Sequence, residues 1–268
     1  MTQSQPSRNG FIAIAALFMT AAISSGAHAQ GNTAAGIKNI VLVHGAWADG
    51  SCWSKVIPLL EAKGFHVVAV QNPLNSLADD VASTERAIAL LDGPVLLVGH
   101  SYGGAVITEA GNHDNVVGLV YIAAFAPDAG ESAGSVAARQ QSVAAANLSV
   151  DDDQYLWIKQ DKFHESFCQD LTPEEGLVMG VTQKAPLLGT FSNNVTVPAW
   201  KSKPSWYQIS SEDRMLPPEI QQWMSARMNP KKTITLKSSH ASLASKPNEV
   251  AALIDEAAIV TSKARLVA

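Results

Sequence analysis

The chain has 268 residues with 19 Lys and Arg against 24 Asp and Glu, a formal charge of −5 at pH 7, and is 47% hydrophobic and 16% charged. That balance supports a sizeable core and excludes disorder and collagen-like structure, while two Cys are too few for a disulfide-dense scaffold. No cluster of Lys and Arg interrupts the acidic balance, so nucleic acid is not an expected partner.

At the N-terminus, Arg8 precedes the apolar run Phe11 to Ile23, and Ser24-Ser25-Gly26 leads into the small-x-small site Ala27-His28-Ala29. This pattern predicts a secretory signal at 1–29, a mature domain at 30–268 and an exported protein, periplasmic or secreted. The run is shorter than the roughly 20 residues a membrane-crossing helix takes, and no later stretch of that length is free of charge, so no membrane span is expected in the mature chain. Export would permit a disulfide between Cys52 and Cys168, and the sequence leaves open whether they are bridged or are separate buried thiols.

Ile40 to Val43 is a β-branched run ending at His44-Gly45, as a strand buried on both faces requires. Trp53 to Lys63 carries apolar residues at helical spacing and stops at Gly64, and His66 to Val70 follows as a strand. Asp79 to Leu91 reads as a helix, Pro94 to Val98 as a strand, Tyr102 to Gly111 as a helix and Val116 to Ala124 as a fourth strand. From about 130 to 200 the alternation stops, and mixed helical segments without convincing strand runs suggest an inserted cap. It resumes with strand Trp206 to Ser210, a helix from Pro217 to Met228, strand Thr233 to Lys237 and a final helix from Pro247 to Ile259. The expected fold class is α/β, a mostly parallel sheet flanked by helices, whose ligand site lies beyond the carboxyl ends of the strands.

Gly99-His100-Ser101-Tyr102-Gly103 matches G-x-S-x-G between a predicted strand and a predicted helix, the context in which a strained turn exposes a serine hydroxyl. Such a serine needs a base, and the base needs a carboxylate. His240 follows the last strand at the carboxyl edge and is the expected base. His44, His66, His100, His113 and His164 are assigned to loop, strand, nucleophile flank with its side chain turned away, helix end and insertion. Asp213 follows the next-to-last helix-flanked strand and is the favoured carboxylate, with Asp128 its competitor and Glu212 a solvated loop charge. An oxyanion needs two aimed N–H groups, expected from Tyr102 and from Ala46 in the loop after the first strand.

With these residues placed, Val43-His44-Gly45-Ala46-Trp47, Gly99 to Gly104, Glu212-Asp213-Arg214 and Ser239-His240 make the chain resemble the α/β-hydrolase superfamily from Ile40 to about Ile259. Within it the chain is similar to the small-cap group of plant methyl-ester esterases and hydroxynitrile lyases with their bacterial relatives. The resemblance implies the fold, the Ser101, Asp213 and His240 triad, and a cap that shapes the pocket. The lyases carry Thr where this chain has Gly45 and Lys where it has Ala241, a departure that favours ester hydrolysis.

The expected activity is therefore a serine hydrolase cleaving a small to medium carboxylic ester through an acyl-enzyme. The alternatives are a lyase, thioesterase or haloperoxidase-like activity on the same triad, or a non-catalytic small-ligand receptor. Trp47, Trp157, Met179 and Phe191 are the expected substrate-binding residues, with Phe163, Phe167 and Leu187 as further pocket candidates. No metal or organic cofactor is expected, since neither metal-ligand spacing nor a phosphate-cradling loop is present.

Overall fold

The computed structural model describes Met1 and residues 36–267. Apart from Met1, the predicted leader lies outside the described residues. Six strands form one parallel sheet: β1 (Asn39–Val43), β2 (His66–Ala69), β3 (Val95–His100), β4 (Val116–Ile122), β7 (Ser205–Ser210) and β8 (Lys232–Leu236), in the spatial order β2-β1-β3-β4-β7-β8. Two further strands, β5 (Leu148–Val150) and β6 (Leu156–Ile158), pair antiparallel in a separate hairpin.

The period-two geometry of a strand divides each apolar run between two cores. Val41, Val43, Val95, Leu97, Leu119 and Tyr121 point to one face of the sheet, and Ile40, Leu42, Leu96, Val98, Val120 and Ile122 to the other. The first face is covered by α2 (Leu77–Ala89), α3 (Gly103–Ala110) and α7 (Pro218–Met228). The second is covered by α1 (Ile57–Glu61) and α9 (Pro247–Val267). Burial on both faces is why the central strands read as continuous apolar runs rather than alternating ones.

Three element bounds differ from the expectation for identifiable reasons. The helix expected from Trp53 is a 3₁₀ turn at Gly50–Trp53 followed by α1, because Pro58 has no N–H to donate and is tolerated only in a first turn. The last helix continues past Ile259 to Val267, where no Gly or Pro interrupts it. Between β4 and β7, the helix α4 (Ala133–Ala137) is followed by the β5–β6 hairpin and then by α5 (Phe163–Phe167) and α6 (Pro173–Val181), and the helical reading of that segment does not include the hairpin. A short helix, α8 (Ser242–Ser245), links β8 to α9.

The strand order reverses between β1 and β3, whose neighbours lie on opposite sides. In parallel α/β sheets the crevice beyond such a reversal is where ligands bind. Among the described residues no helix is long and apolar enough to cross a membrane.

Candidate active site

Ser101 occupies the turn between β3 and α3 with φ of 54°, a left-handed conformation that is costly for a residue bearing a side chain. Hydrogen bonds hold the turn: Ser101 N–H donates to the Ile122 carbonyl at 3.2 Å, and the Ser101 carbonyl accepts from Gly104 at 2.9 Å and Phe125 at 3.0 Å. A side chain at residue 99 would place its Cβ 2.6 Å from the Gly103 carbonyl oxygen, and one at residue 103 would meet the Val43 carbonyl. Strand and helix can meet this closely only because both positions are glycine.

The three residues read from sequence converge. His240 Nε2 lies 2.7 Å from Ser101 Oγ, and His240 Nδ1 lies 2.7 Å from Asp213 Oδ2. All three are buried, the side chains of His240 and Asp213 almost completely. Because a carboxylate only accepts, Nδ1 is the protonated nitrogen and Nε2 is free to accept from the serine hydroxyl. Asp213 itself is fully engaged: Oδ1 accepts from Met215 N–H at 2.8 Å and Leu216 N–H at 2.9 Å, and Oδ2 also accepts from Gln221 Nε2 at 2.8 Å. Gln221 is fixed in turn, receiving Ser210 N–H at 3.0 Å and donating to the Leu216 carbonyl at 2.8 Å.

The competing carboxylates lie elsewhere. Asp128 forms an ion pair with Lys201, which together with its hydrogen bonds holds it below the usual carboxylate range despite some burial. Glu212 is an exposed charge 3.6 Å from Lys237.

His100, expected only as a flank of the nucleophile, does more. Its ring lies 4.8 Å from that of His240, and its Nε2–H donates to the His240 carbonyl at 2.8 Å. Complete burial drives its pKa well below the ordinary value, so it is neutral. Phe167 packs edge-on against the His240 ring at 4.9 Å and against His100 at 6.2 Å, with Phe163 stacked behind it at 5.0 Å. These two phenylalanines thus pack against His240 and do not line the cavity at Ser101. His240 is held at its backbone as well: Ser239 N–H donates to Asp170 Oδ2 at 2.9 Å and Ala241 N–H to Ser239 Oγ at 3.1 Å.

Opposite the base lies the loop after β1. A Cβ on residue 45 would fall 2.6 Å from Ser101 Cβ, so Gly45 lets this backbone lie directly against Ser101. His44 shapes the turn by donating Nδ1–H to the Gly45 carbonyl at 2.7 Å while its Nε2 receives Asn72 N–H at 2.9 Å. Desolvation pulls its pKa down to about 4, so it too is neutral. Ala46 and Tyr102 flank Ser101 on this loop and at the start of α3, and neither backbone N–H meets an acceptor among the described residues.

Ser101 and His240 open into a cavity of about 380 Å³, lined mainly by apolar side chains that include Trp47, Phe125, Leu148, Leu156, Phe191 and Met215. Two expected wall residues, Trp47 and Phe191, are present, their rings stacked at 5.8 Å. Two others are not. Trp157 is on β6, where strand parity turns it outward while Ile158 is buried, and its indole N–H donates to Asp151 at 2.8 Å. Met179 faces a different cavity, also about 380 Å³, between α6 and the segment from Trp47 to Lys55. Leu187 does not line the serine cavity either, whereas its neighbour Leu188 does. Cys52 and Cys168 are free thiols, and burial pushes Cys168 up to about 12. Among the described residues no group of three or more His, Cys, Asp or Glu could hold a metal ion.

A family model described as the alpha/beta hydrolase family matches residues 40–253. The chain belongs to the α/β hydrolase family. It is 28% identical over 233 residues to methylesterase 8 of Arabidopsis thaliana, spanning 78% of this chain and 85% of that protein. It is 36% identical over 101 residues to a pyrethroid hydrolase of Sphingobium wenxiniae, a match covering 33% of this chain and 36% of the other. Among solved structures, a pyrethroid hydrolase from Sphingobium faniae has the same fold with a TM-score of 0.70 at 24% identity, over 83% of this hydrolase and 97% of that chain. Polyneuridine aldehyde esterase likewise shares the fold, with a TM-score of 0.71 at 21% identity over 82% and 98% of the two chains.

Proposed function

We propose that this hydrolase cleaves carboxylic esters of small to medium size through an acyl-enzyme on Ser101. The observation that carries the reading is the unbroken line Ser101 Oγ, His240, Asp213, two contacts of 2.7 Å each, at the floor of an apolar cavity. The relatives named as methylesterases and a pyrethroid hydrolase support ester chemistry.

Ser101 Oγ attacks the ester carbonyl carbon while its proton passes to His240 Nε2, and Asp213 stabilises the imidazolium that forms. The carbonyl oxygen gains the negative charge and receives the N–H groups of Ala46 and Tyr102. As the tetrahedral intermediate collapses, His240 gives its proton to the departing alkoxide and the alcohol leaves. Water then adds to the acyl-enzyme with His240 again taking a proton, and the carboxylic acid and free serine are regenerated. The apolar walls hold an apolar acyl or alcohol group by removing its surface from water.

The test combines a labelled fluorophosphonate with p-nitrophenyl esters of graded chain length. Wild-type protein is expected to be labelled and to release p-nitrophenol, and Ser101→Ala to lose both while keeping its circular dichroism. Equal turnover by Ser101→Ala would refute the mechanism. Export belongs to the same proposal, supported by the Arg8, apolar run and Ala27-His28-Ala29 pattern. N-terminal sequencing of protein from its host is expected to begin at Gln30, and retention of Arg8 in a cytosolic fraction would exclude export.

A further inference from the structure

We infer that Lys184, contributed by the inserted segment, is a positioning residue that holds the oxyanion loop against Ser101. The inference rests on the ester-hydrolase reading and names a residue that neither the serine motif nor the triad includes. Lys184 reaches the loop by two routes, one direct and one through Asn72. Its backbone carbonyl accepts the N–H of Trp47 at 3.0 Å, fixing the residue next to Ala46. Its ammonium donates to the backbone carbonyl of Asn72.

Asn72 is completely buried and carries that hold to the other side of the loop. Its side-chain amide donates to the His44 carbonyl at 2.8 Å, and its N–H donates to His44 Nε2 at 2.9 Å. His44 then donates to the Gly45 carbonyl. The three residues preceding the proposed donor's neighbour, His44, Gly45 and Ala46, are therefore bracketed by hydrogen bonds that all return to Lys184. Trp47 has φ of 58°, and a loop with such a residue keeps one shape only when its surroundings over-determine it.

The same segment reaches the second donor. Leu187 N–H donates to the Leu74 carbonyl at 2.8 Å, and Leu74 N–H donates to Asp80 Oδ1 at 2.8 Å. Asp80 Oδ2 accepts the hydroxyl of Tyr102 at 2.9 Å. The chain around Lys184 thus ties down the neighbour of Ala46 and the side chain of Tyr102, Ala46 and Tyr102 being the two residues proposed to supply the oxyanion N–H groups. An oxyanion hole works through donors already in place, so loosening this bracket should slow the chemical steps more than it weakens ground-state binding.

The experiment compares wild type, Lys184→Met and Lys184→Arg on p-nitrophenyl butyrate and with a labelled fluorophosphonate, every rate being normalised to the titrated active sites. Lys184→Met is expected to lower kcat about tenfold, less than loss of a whole oxyanion donor, with KM within about twofold. Its rate of phosphonylation should fall by a similar factor, and Lys184→Arg should restore most of both. Unchanged kcat in Lys184→Met, a rise in KM alone, or an arginine variant as slow as the methionine one would overturn the inference. Failure of the underlying reading looks different, because wild-type protein itself would then neither label nor turn over.

Discussion

Asp213 meets four donors with its two oxygens, and this settles which changes near the base are tolerable. An amide at 213 would turn an NH2 group, with two N–H donors, toward groups that themselves donate, and His240 would lose the acceptor that fixes Nδ1–H. Asp213→Asn is expected to lower kcat by roughly 10⁴ with little change in KM, the scale seen when a triad imidazole is left in the wrong tautomer, measurable on p-nitrophenyl butyrate. Gln221→Leu removes one donor to Asp213 and leaves Ser210 N–H and the Leu216 carbonyl without their partner. With buried groups unsatisfied, it should lower stability by about 1–3 kcal/mol in urea denaturation and reduce kcat as well. The triad was legible because each member directly follows a strand of the sheet, so order along the chain predicts nearness in space. Gln221 was not legible: on a helix pattern it reads as one more polar residue, and its role exists only once α7 packs beside β7. His100 was half legible, since its place beside Ser101 is in the motif but its bond to the His240 carbonyl joins residues 140 positions apart.

At the level of elements, the alternating strands and helices could be read because burial on both faces writes continuous apolar runs, and their ends fell near Gly and Pro. The insertion was less legible because its short pieces lack that regularity. Trp157 is expected among the pocket walls, whereas the β6 pairing places Leu156 on the cavity and Trp157 on the outside. Met179, also expected at the substrate pocket, lies on α6 and borders the other cavity, a placement that its residue type alone does not tell. Trp47 is the single residue that borders both cavities among those described for them. Its indole is pinned by a 2.7 Å hydrogen bond to the Leu156 carbonyl and by stacking on Phe191, as a fixed partition would be. Trp47→Ala should join the two spaces and raise kcat/KM for p-nitrophenyl dodecanoate relative to the acetate by tenfold or more, within the range that added apolar burial provides. Using the ratio removes any general loss from disturbing the oxyanion loop. A chain-length profile parallel to that of wild type would mean that the cavities stay separate.

The whole molecule carries titratable groups buried for packing, and their signs determine how its stability responds to pH. Desolvation holds His44 near 4, below the 6.5 of an exposed imidazole, and also pulls His100 well below its ordinary value, so between about 4 and 6.5 the unfolded chain binds protons that the folded one refuses. Stability therefore falls as pH drops through that window. Asp80 works the other way. Burial outweighs its hydrogen bonds from Leu74 and Tyr102 and pushes its carboxyl up to about 6 from 3.8. Its contribution is full below about 4 and is lost as pH rises through about 6. Between pH 7 and pH 5, His44 alone removes on the order of 2 kcal/mol while Asp80 returns about 1, and His100 adds to the loss. The urea midpoint of the wild-type protein is accordingly expected to fall from pH 7 to pH 5. Asp80→Asn keeps an acceptor for Leu74 N–H and a donor for the Tyr102 oxygen but abolishes the opposing titration. Its midpoint should fall more steeply over the same interval, by an extra amount on the order of 1 kcal/mol. Parallel curves for the two proteins would show that Asp80 does not titrate over this interval.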